Sequence, residues 1–288
     1  MNRQAVVLIT GASSGIGRAI AESLVQEGLT VFGASRNPDR VTPAAGVEHV
    51  YLDVRSEDSV RACVAEVTER ARRIDVLINN AGYELGGAIE ATTLEEAKTQ
   101  FETNFFGVAR VIKAVLPAMR ERGSGHILNM SSIVGWLVPA PFLGYYAASK
   151  MALEAYTEVL RHEVLPFGVN VSLIEPSFIN TSLGRNRQLA MEVSQAYAPW
   201  QRRAFGVIEH REHTAPPPRV VAAAVLRAIQ QSHPRPRYLV GEGVWGLSFI
   251  RRFLPWFAYE RGIRGYFNLD ERERLTGQPE QAADAYRL

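Results

Sequence analysis

Two residues four apart, Tyr146 and Lys150, have types and spacing that could do chemistry. They bound the run Tyr146-Ala-Ala-Ser-Lys150 and lead into MALEAYTEVLRHEVL, a helix-forming stretch, so both fall on one helical face about a turn apart. An ammonium one turn from a phenol stabilises the phenolate and is expected to draw the tyrosine pKa down from about 10. Such a phenol gives or takes a proton near neutral pH, as a general acid/base must. Taken alone, the pair reads more simply as a surface tyrosine and a solvated lysine. The rest of the chain changes that weighting.

A second constellation is glycine-rich. Gly11-Ala-Ser-Ser-Gly15-Ile-Gly17 stands between a buried-strand run, AVVLIT at 5–10, and an amphipathic helix, RAIAESLVQEG, closed by Gly28. Glycines there let the backbone turn sharply and approach a pyrophosphate, which the free N–H groups of the helix terminus would hold. The next strand, Thr30 to Ala34, ends in Ser35-Arg36-Asn37-Pro38. An acid at that strand end would bind the ribose hydroxyls of NAD, whereas an arginine neutralises the 2′-phosphate of NADP. Arg36 therefore predicts NADP(H), with NAD(H) as the alternative and a solvated loop arginine as the plain reading. Asp53 follows a third strand, 47–52, and either accepts from an adenine amine or caps the helix beginning near Glu57. Asn79-Asn80-Ala81-Gly82 follows a fourth strand, 74–78, and suits a backbone passing against a ligand. Asn104 lies inside a long helical pattern, 93–122, as a satisfied buried amide or a holder of water or backbone. His210-Arg-Glu-His213 lacks the order of a metal motif and reads as solvated, so no metal site is expected.

The elements that must position these groups alternate. Strands at 125–131, 168–174 and 237–240, with helices at 57–73 and 218–232, extend the βα pattern to a doubly wound parallel sheet of about seven strands, an α/β Rossmann-like fold. Gly11, Asn80, Ser132 and Pro176 all fall at strand C-terminal ends, where such sheets bind ligands. The 288 residues, 47% hydrophobic, can bury a full core, and a formal charge of +2 suggests no nucleic-acid partner. The single cysteine, Cys63, lies in a helical pattern and rules out an internal disulfide. With no leader pattern before the first strand and no apolar run near the ~20 residues of a spanning helix, the expectation is a soluble, cytoplasmic protein.

Together Thr10-Gly-Ala-Ser-Ser-Gly-Ile-Gly17, Asn79-Asn-Ala-Gly82, Asn104, Ser131-Ser132, Tyr146-x-x-x-Lys150 and the segment Pro176 to Thr181 resemble the short-chain dehydrogenase/reductase family, in its motif order, over about residues 5–181. The resemblance implies a catalytic tetrad of Asn104, Ser132, Tyr146 and Lys150. Tyr146 would exchange a proton with the carbonyl or alcohol oxygen during hydride transfer, and Ser132 would hydrogen-bond that oxygen. Lys150 would lower the tyrosine pKa and hold the ribose, and Asn104 would keep a relay water. Ser131 and Ser132 are both candidates; Ser132, fourteen residues before Tyr146, is the choice, and the separation, about one longer than usual, implies a bulge in the loop. The family's frequent Pro-Gly after the sixth strand is Pro176-Ser177 here. The implied nucleotide bed is Gly11, Ser13, Ser14, Gly15, Ile16, Gly17, Arg36, Asp53, Val54, Asn80, Ala81, Gly82, Tyr146, Lys150, Pro176, Ile179 and Thr181. A homodimer or homotetramer built on the helices of Asn104 and Tyr146 is implied as well.

Substrate choice is expected from Trp136, Phe142, Leu143, Tyr83 and Phe178. Residues 182–217 read as a helix-forming cover inserted in a catalytic domain of 1–243, ended by TAPPP. The aromatic and arginine-bearing extension, 244–288, packs on the substrate lobe or a second subunit, walls the pocket, or touches a membrane surface through 244–260. The expected activity is an NADP(H)-dependent interconversion of carbonyl and secondary alcohol on a hydrophobic small molecule. An NAD-linked oxidative dehydrogenase and a non-catalytic nucleotide-sensing scaffold are the alternatives.

Overall fold

The computed structural model describes residues 5–40, 44–181 and 187–269. Parts of two expected segments, 182–186 of the cover and 270–288 of the tail, lie outside them. The central sheet has seven parallel strands in the order β3-β2-β1-β4-β6-β7-β9: β1 (Val6–Thr10), β2 (Thr30–Ser35), β3 (Val47–Tyr51), β4 (Val76–Asn79), β6 (Gly125–Met130), β7 (Val169–Pro176) and β9 (Arg237–Val240). This is the doubly wound sheet expected from the alternation. β1 is buried along its whole length, as both faces of a parallel sheet are covered by crossover helices. On one side α2 (Glu57–Ala71), α4 (Gly107–Arg122) and α6 (Gly144–Val164) enclose a core with Leu8, Phe32, Val67, Ile112 and Leu153. On the other, α1 (Gly15–Gln26) and α8 (Arg219–Gln230) enclose Val7, Ile9, Ile20, Leu128 and Val225. Cys63 sits in the first core, where burial pushes its thiol up to about 12, so it packs rather than reacts.

The strand order reverses beside β1, and β4 and β6 continue the sheet the other way, so the turns after β1 and β4 open a crevice at the strand C-terminal ends. Thr10 ties those two turns together. Its Oγ1 accepts from the Asn80 and Ala81 N–H groups, each at 3.0 Å, while Asn80 Nδ2 donates to the carbonyls of Thr10 at 3.1 Å and Gly11 at 3.0 Å. Gly11 needs its lack of a side chain, since a Cβ there would stand 2.8 Å from the Ala81 Cα at a φ of +68°.

The long helical pattern at 93–122 holds, with one irregularity. Between α3 (Leu94–Phe101), opened by a Thr93–Glu96 capping box, and α4, residues Glu102–Phe106 form one turn of π-helix with Asn104 inside it. The cover departs from expectation. Residues 188–189 form a short strand, β8, parallel to β5 (Leu85–Gly86), and a helix begins only at Ala198, where α7 (Ala198–Thr214) has Pro199 in its first turn. Pairing of 188–190 with Glu84–Gly86, followed by bends and turns to 197, thus stands where helix was expected. Behind α7, α9 (Val244–Phe253) and α10 (Trp256–Tyr266), with Phe267 just after it, bring Val244 and Phe267 into a third core with Leu137, Phe205 and Ile208, while the buried Tyr259 donates its hydroxyl to the Leu137 carbonyl. Val244 and Phe267 of the extension thus pack against residues of 133–146 and of α7, and none of its described residues lines the central cavity.

Candidate functional site

A cavity of about 570 Å³ runs over the strand C-terminal ends, from the Gly-rich turn past Tyr146 to α7. At one end it is lined by Gly11, Ser13, Ser14, Gly15 and Ile16, with Asn80, Ala81 and Gly82 beside them. α1 begins there with Ser14, which makes no side-chain cap, and carries no acid in its first turn. Its leading N–H groups and positive dipole end are thus suited to an anion such as a pyrophosphate. Gly17 does not line the cavity; it packs against the Gly11 carbonyl and Asn80, where any side chain would collide. These residues fit a dinucleotide.

Arg36, just past β2, lines the same end with Asp53 and Val54. Asp53 is not the cap of α2; Ser56 is, accepting from the Ser59 N–H at 3.2 Å. The Asp53 carboxylate is instead gripped by Arg55 through Nε at 3.0 Å and Nη2 at 2.7 Å, which holds it below the usual carboxylate range. Arg55 lines the cavity too and escaped the sequence reading, because nothing marks one arginine among many until the fold carries it to the site.

At the middle, α6 presents Tyr146 and Lys150, and the short helix α5 (Ile133–Trp136) begins at Ser132, whose hydroxyl caps it by accepting from the Val134 N–H at 3.2 Å. The Ser132 hydroxyl also acts on the Tyr146 phenol, drawing its pKa down. Ser131 points elsewhere, donating to Glu154 Oε1 at 2.7 Å. Lys150 Nζ lies 5.8 Å from the Tyr146 ring centre and donates to the Met130 carbonyl at 2.8 Å. Phe142 takes φ +64°, a left-handed backbone costly for an aromatic residue, and its carbonyl accepts from Gly87 N–H at 2.8 Å.

The electrostatics differ from expectation. Burial lifts the Tyr146 phenol above its ordinary range, Glu84 and Glu212 push the same way, and only Ser132 and Arg187 oppose them. Lys150 is pushed down to about 8 by burial, against the pull of Glu84 and Glu154. A lysine one turn away does not outweigh full desolvation of the phenol. Asn104 also behaves unlike a simple site residue. It is wholly buried, does not line the cavity, and spends its amide on the Tyr83 backbone and on Ser149 Oγ at 3.2 Å.

Tyr83, Leu143 and Phe178 line the substrate end, as do Pro176, Ile179 and Thr181 nearby; Trp136 and Phe142 do not. Trp136 turns its indole N–H to Glu175 Oε2 at 3.3 Å under the Arg237 guanidinium, and Phe142 packs edge-on against Tyr197 and Phe205. Their sequence neighbours Val138 and Ala140 line the cavity instead. Ser177 packs its Cβ against Gly241, so that the small residue of this contact sits on the β9 side. A buried triad was also missed: Arg187 bridges Glu84 at 3.0 Å and Glu212 at 3.0 Å while stacked 5.1 Å above Phe205. Both carboxylates line the cavity, and burial raises Glu212 to about 7. No sequence signal flags a triad assembled from residues 84, 187 and 212.

The short chain dehydrogenase family model matches residues 5–192. A 3-ketodihydrosphingosine reductase of Bacteroides thetaiotaomicron is 41% identical over 238 residues, 82% of this chain and 87% of that protein. Among solved structures, a short-chain dehydrogenase from Streptomyces avermitilis superposes with a TM-score of 0.76 at 35% identity, covering 90% of this chain and 98% of the other. A short chain dehydrogenase/reductase from Burkholderia phymatum, in complex with NAD, superposes with a TM-score of 0.75 at 26% identity, covering 86% and 93%. With the Gly-rich turn, the Ser–Tyr–Lys cluster and the sheet order all in place, this chain is an oxidoreductase that belongs to the short-chain dehydrogenase/reductase family, whose nucleotide is NAD(P).

Proposed function

We propose that the protein is an NADP(H)-dependent reductase that converts a carbonyl on a hydrophobic, lipid-like small molecule to a secondary alcohol, with the reverse oxidation open to the same groups. The observation that carries this reading is the Tyr146 phenol, buried, sharing the cavity lining with Ser132 and one turn from Lys150, in the cavity whose far end holds the Gly-rich turn and Arg36. Nicotinamide supplies the hydride when bound. Tyr146 then gives its proton to the carbonyl oxygen, and Ser132 donates to that oxygen and stabilises its developing charge. The Lys150 cation offsets the phenolate left on Tyr146. Asn104 acts as a positioning residue, fixing the Tyr83 backbone beside the cavity.

Arg36 and Arg55 at one end of the cavity favour the 2′-phosphate of NADP(H), although the Burkholderia phymatum neighbour is bound to NAD. Ile133, Val134, Val138, Leu143 and Ile208 make an apolar wall, and a relative named for a ketosphingoid substrate points the same way. An oligomer built on the helices of Asn104 and Tyr146 is supported by Phe106, Met151 and Val159, which those helices leave exposed. The decisive experiment is Tyr146→Phe, assayed with NADPH and long-chain ketones. Turnover should fall by about 10²-fold or more, with NADPH affinity nearly unchanged. Equal turnover by the variant would sink the mechanism.

A further inference from the structure

We propose that the outer face of the α9–α10 elbow docks on an anionic lipid bilayer. The inner face of the elbow is already satisfied, since Val244 and Phe267 are buried in the core beside α7 and the buried Tyr259 donates to the Leu137 carbonyl. The outer face is not. Phe249, Ile250, Phe253, Trp256 and Phe257 are 68%, 50%, 66%, 70% and 73% exposed, a continuous run of large apolar side chains on neighbouring turns. Phe249, Ile250 and Phe253 share one face of α9, and Pro255 bends the chain so that Trp256 and Phe257 open α10 directly after them. Aromatic and aliphatic groups of this kind settle at the boundary of headgroups and acyl chains. With 10 and 11 residues, α9 and α10 are too short to cross a bilayer, and they would lie in its surface instead.

Charge selects this occupant over a second copy of the chain. The segment 244–269 carries Arg251, Arg252, Arg261 and Arg264 against the single acid Glu260. Beside it, a groove between α7 and α10 is lined by Arg202, Arg203, His210, Arg211 and Tyr266. Two such faces meeting across a twofold axis would bring arginines against arginines. Phosphate headgroups would meet apolar and basic parts at once, each arginine near the surface being worth about fivefold in partitioning. None of these residues lines the central cavity, so the inference stands apart from the cofactor and substrate reading.

The test is co-sedimentation of the full chain with vesicles of phosphatidylcholine alone or mixed with phosphatidylglycerol. The protein should bind the mixed vesicles, remain in solution with the neutral ones, and be released by salt. Trp256→Ser with Phe257→Ser should lower partitioning by about tenfold or more, and Arg252→Glu by about fivefold or more, with reductase activity toward a water-soluble ketone unchanged. Should the paired serine variant fold poorly, Arg252→Glu and the salt dependence decide. No binding to mixed vesicles, equal binding to neutral ones, or unchanged partitioning of the variants would overturn the proposal. So would a smaller assembly mass for Trp256→Ser with Phe257→Ser in sedimentation equilibrium, which would assign this face to a second copy.

Discussion

The side chain of Asn104 takes up both polar groups of the Tyr83 backbone, its Oδ1 accepting from the N–H at 3.1 Å and its Nδ2 donating to the carbonyl at 3.0 Å. Gln100 Nε2 also donates to that carbonyl at 2.9 Å, so the N–H depends on Asn104 more than the carbonyl does. Asn104→Ala should therefore cost about 1–3 kcal/mol of stability, the penalty of leaving a part-buried backbone amide without its partner. Chemical denaturation reads this directly. A variant as stable as the wild type would place the role of Asn104 elsewhere.

The lysine predicts a pH profile. Lys150 titrates at about 8 in the folded chain because burial disfavours its cation. The Tyr146 phenol stays protonated across the neutral range, since its pKa is raised. Reductive kcat/KM should accordingly be level below about pH 8 and fall above it, as the charge that offsets the phenolate is lost. For stability the sign is opposite: the unfolded lysine keeps its proton up to its ordinary value, so the contribution of this group is depressed below pH 8 and rises with pH above it. A kcat/KM that still climbs through pH 9 would contradict this assignment.

Arg36 is expected to act on one cofactor only. Arg36→Ala should weaken NADPH binding about 10- to 100-fold and leave NADH within a few-fold, read by fluorescence titration. Arg55→Ala should give a smaller loss, because Asp53 already holds that guanidinium. Equal losses for both dinucleotides would remove the phosphate argument.

Behind the site, Arg237 joins Glu154 at 3.1 Å, Glu158 at 2.8 Å and Glu175, and Glu154 in turn holds Ser131. Burial lifts Glu175 to about 7, with Glu154 adding to the rise and Arg237 resisting it. An acid raised in the folded state contributes stability that is present at low pH and lost as pH rises through its folded value. Arg237→Met should cost about 3–5 kcal/mol and steepen that loss between pH 6 and pH 8, checked by thermal unfolding at both. A variant with the wild-type pH slope would show that Arg237 does not restrain Glu175.

Local pattern was enough to read the parallel sheet, the Gly-rich turn and the Tyr–Lys pair. Each rests on short-range rules: β-branched runs buried on both faces, glycines at a strand–helix junction, and residues four apart on a helix. Tertiary structure decided what depends on who is buried beside whom. The direction of the Tyr146 shift follows from desolvation and from Glu84 and Glu212, which no spacing rule links to residue 146. Trp136 and Phe142 turned away from the cavity because Glu175, Arg237 and Phe205 offer them partners contributed by distant strands and helices. Asn104 likewise has a type and position legible in one dimension, but its hydrogen bonds are completed by the Tyr83 backbone, 21 residues away, only when the chain has folded. Chemistry carried by a motif is local. Its charge environment is a property of the packed interior, where removal of water amplifies every neighbour.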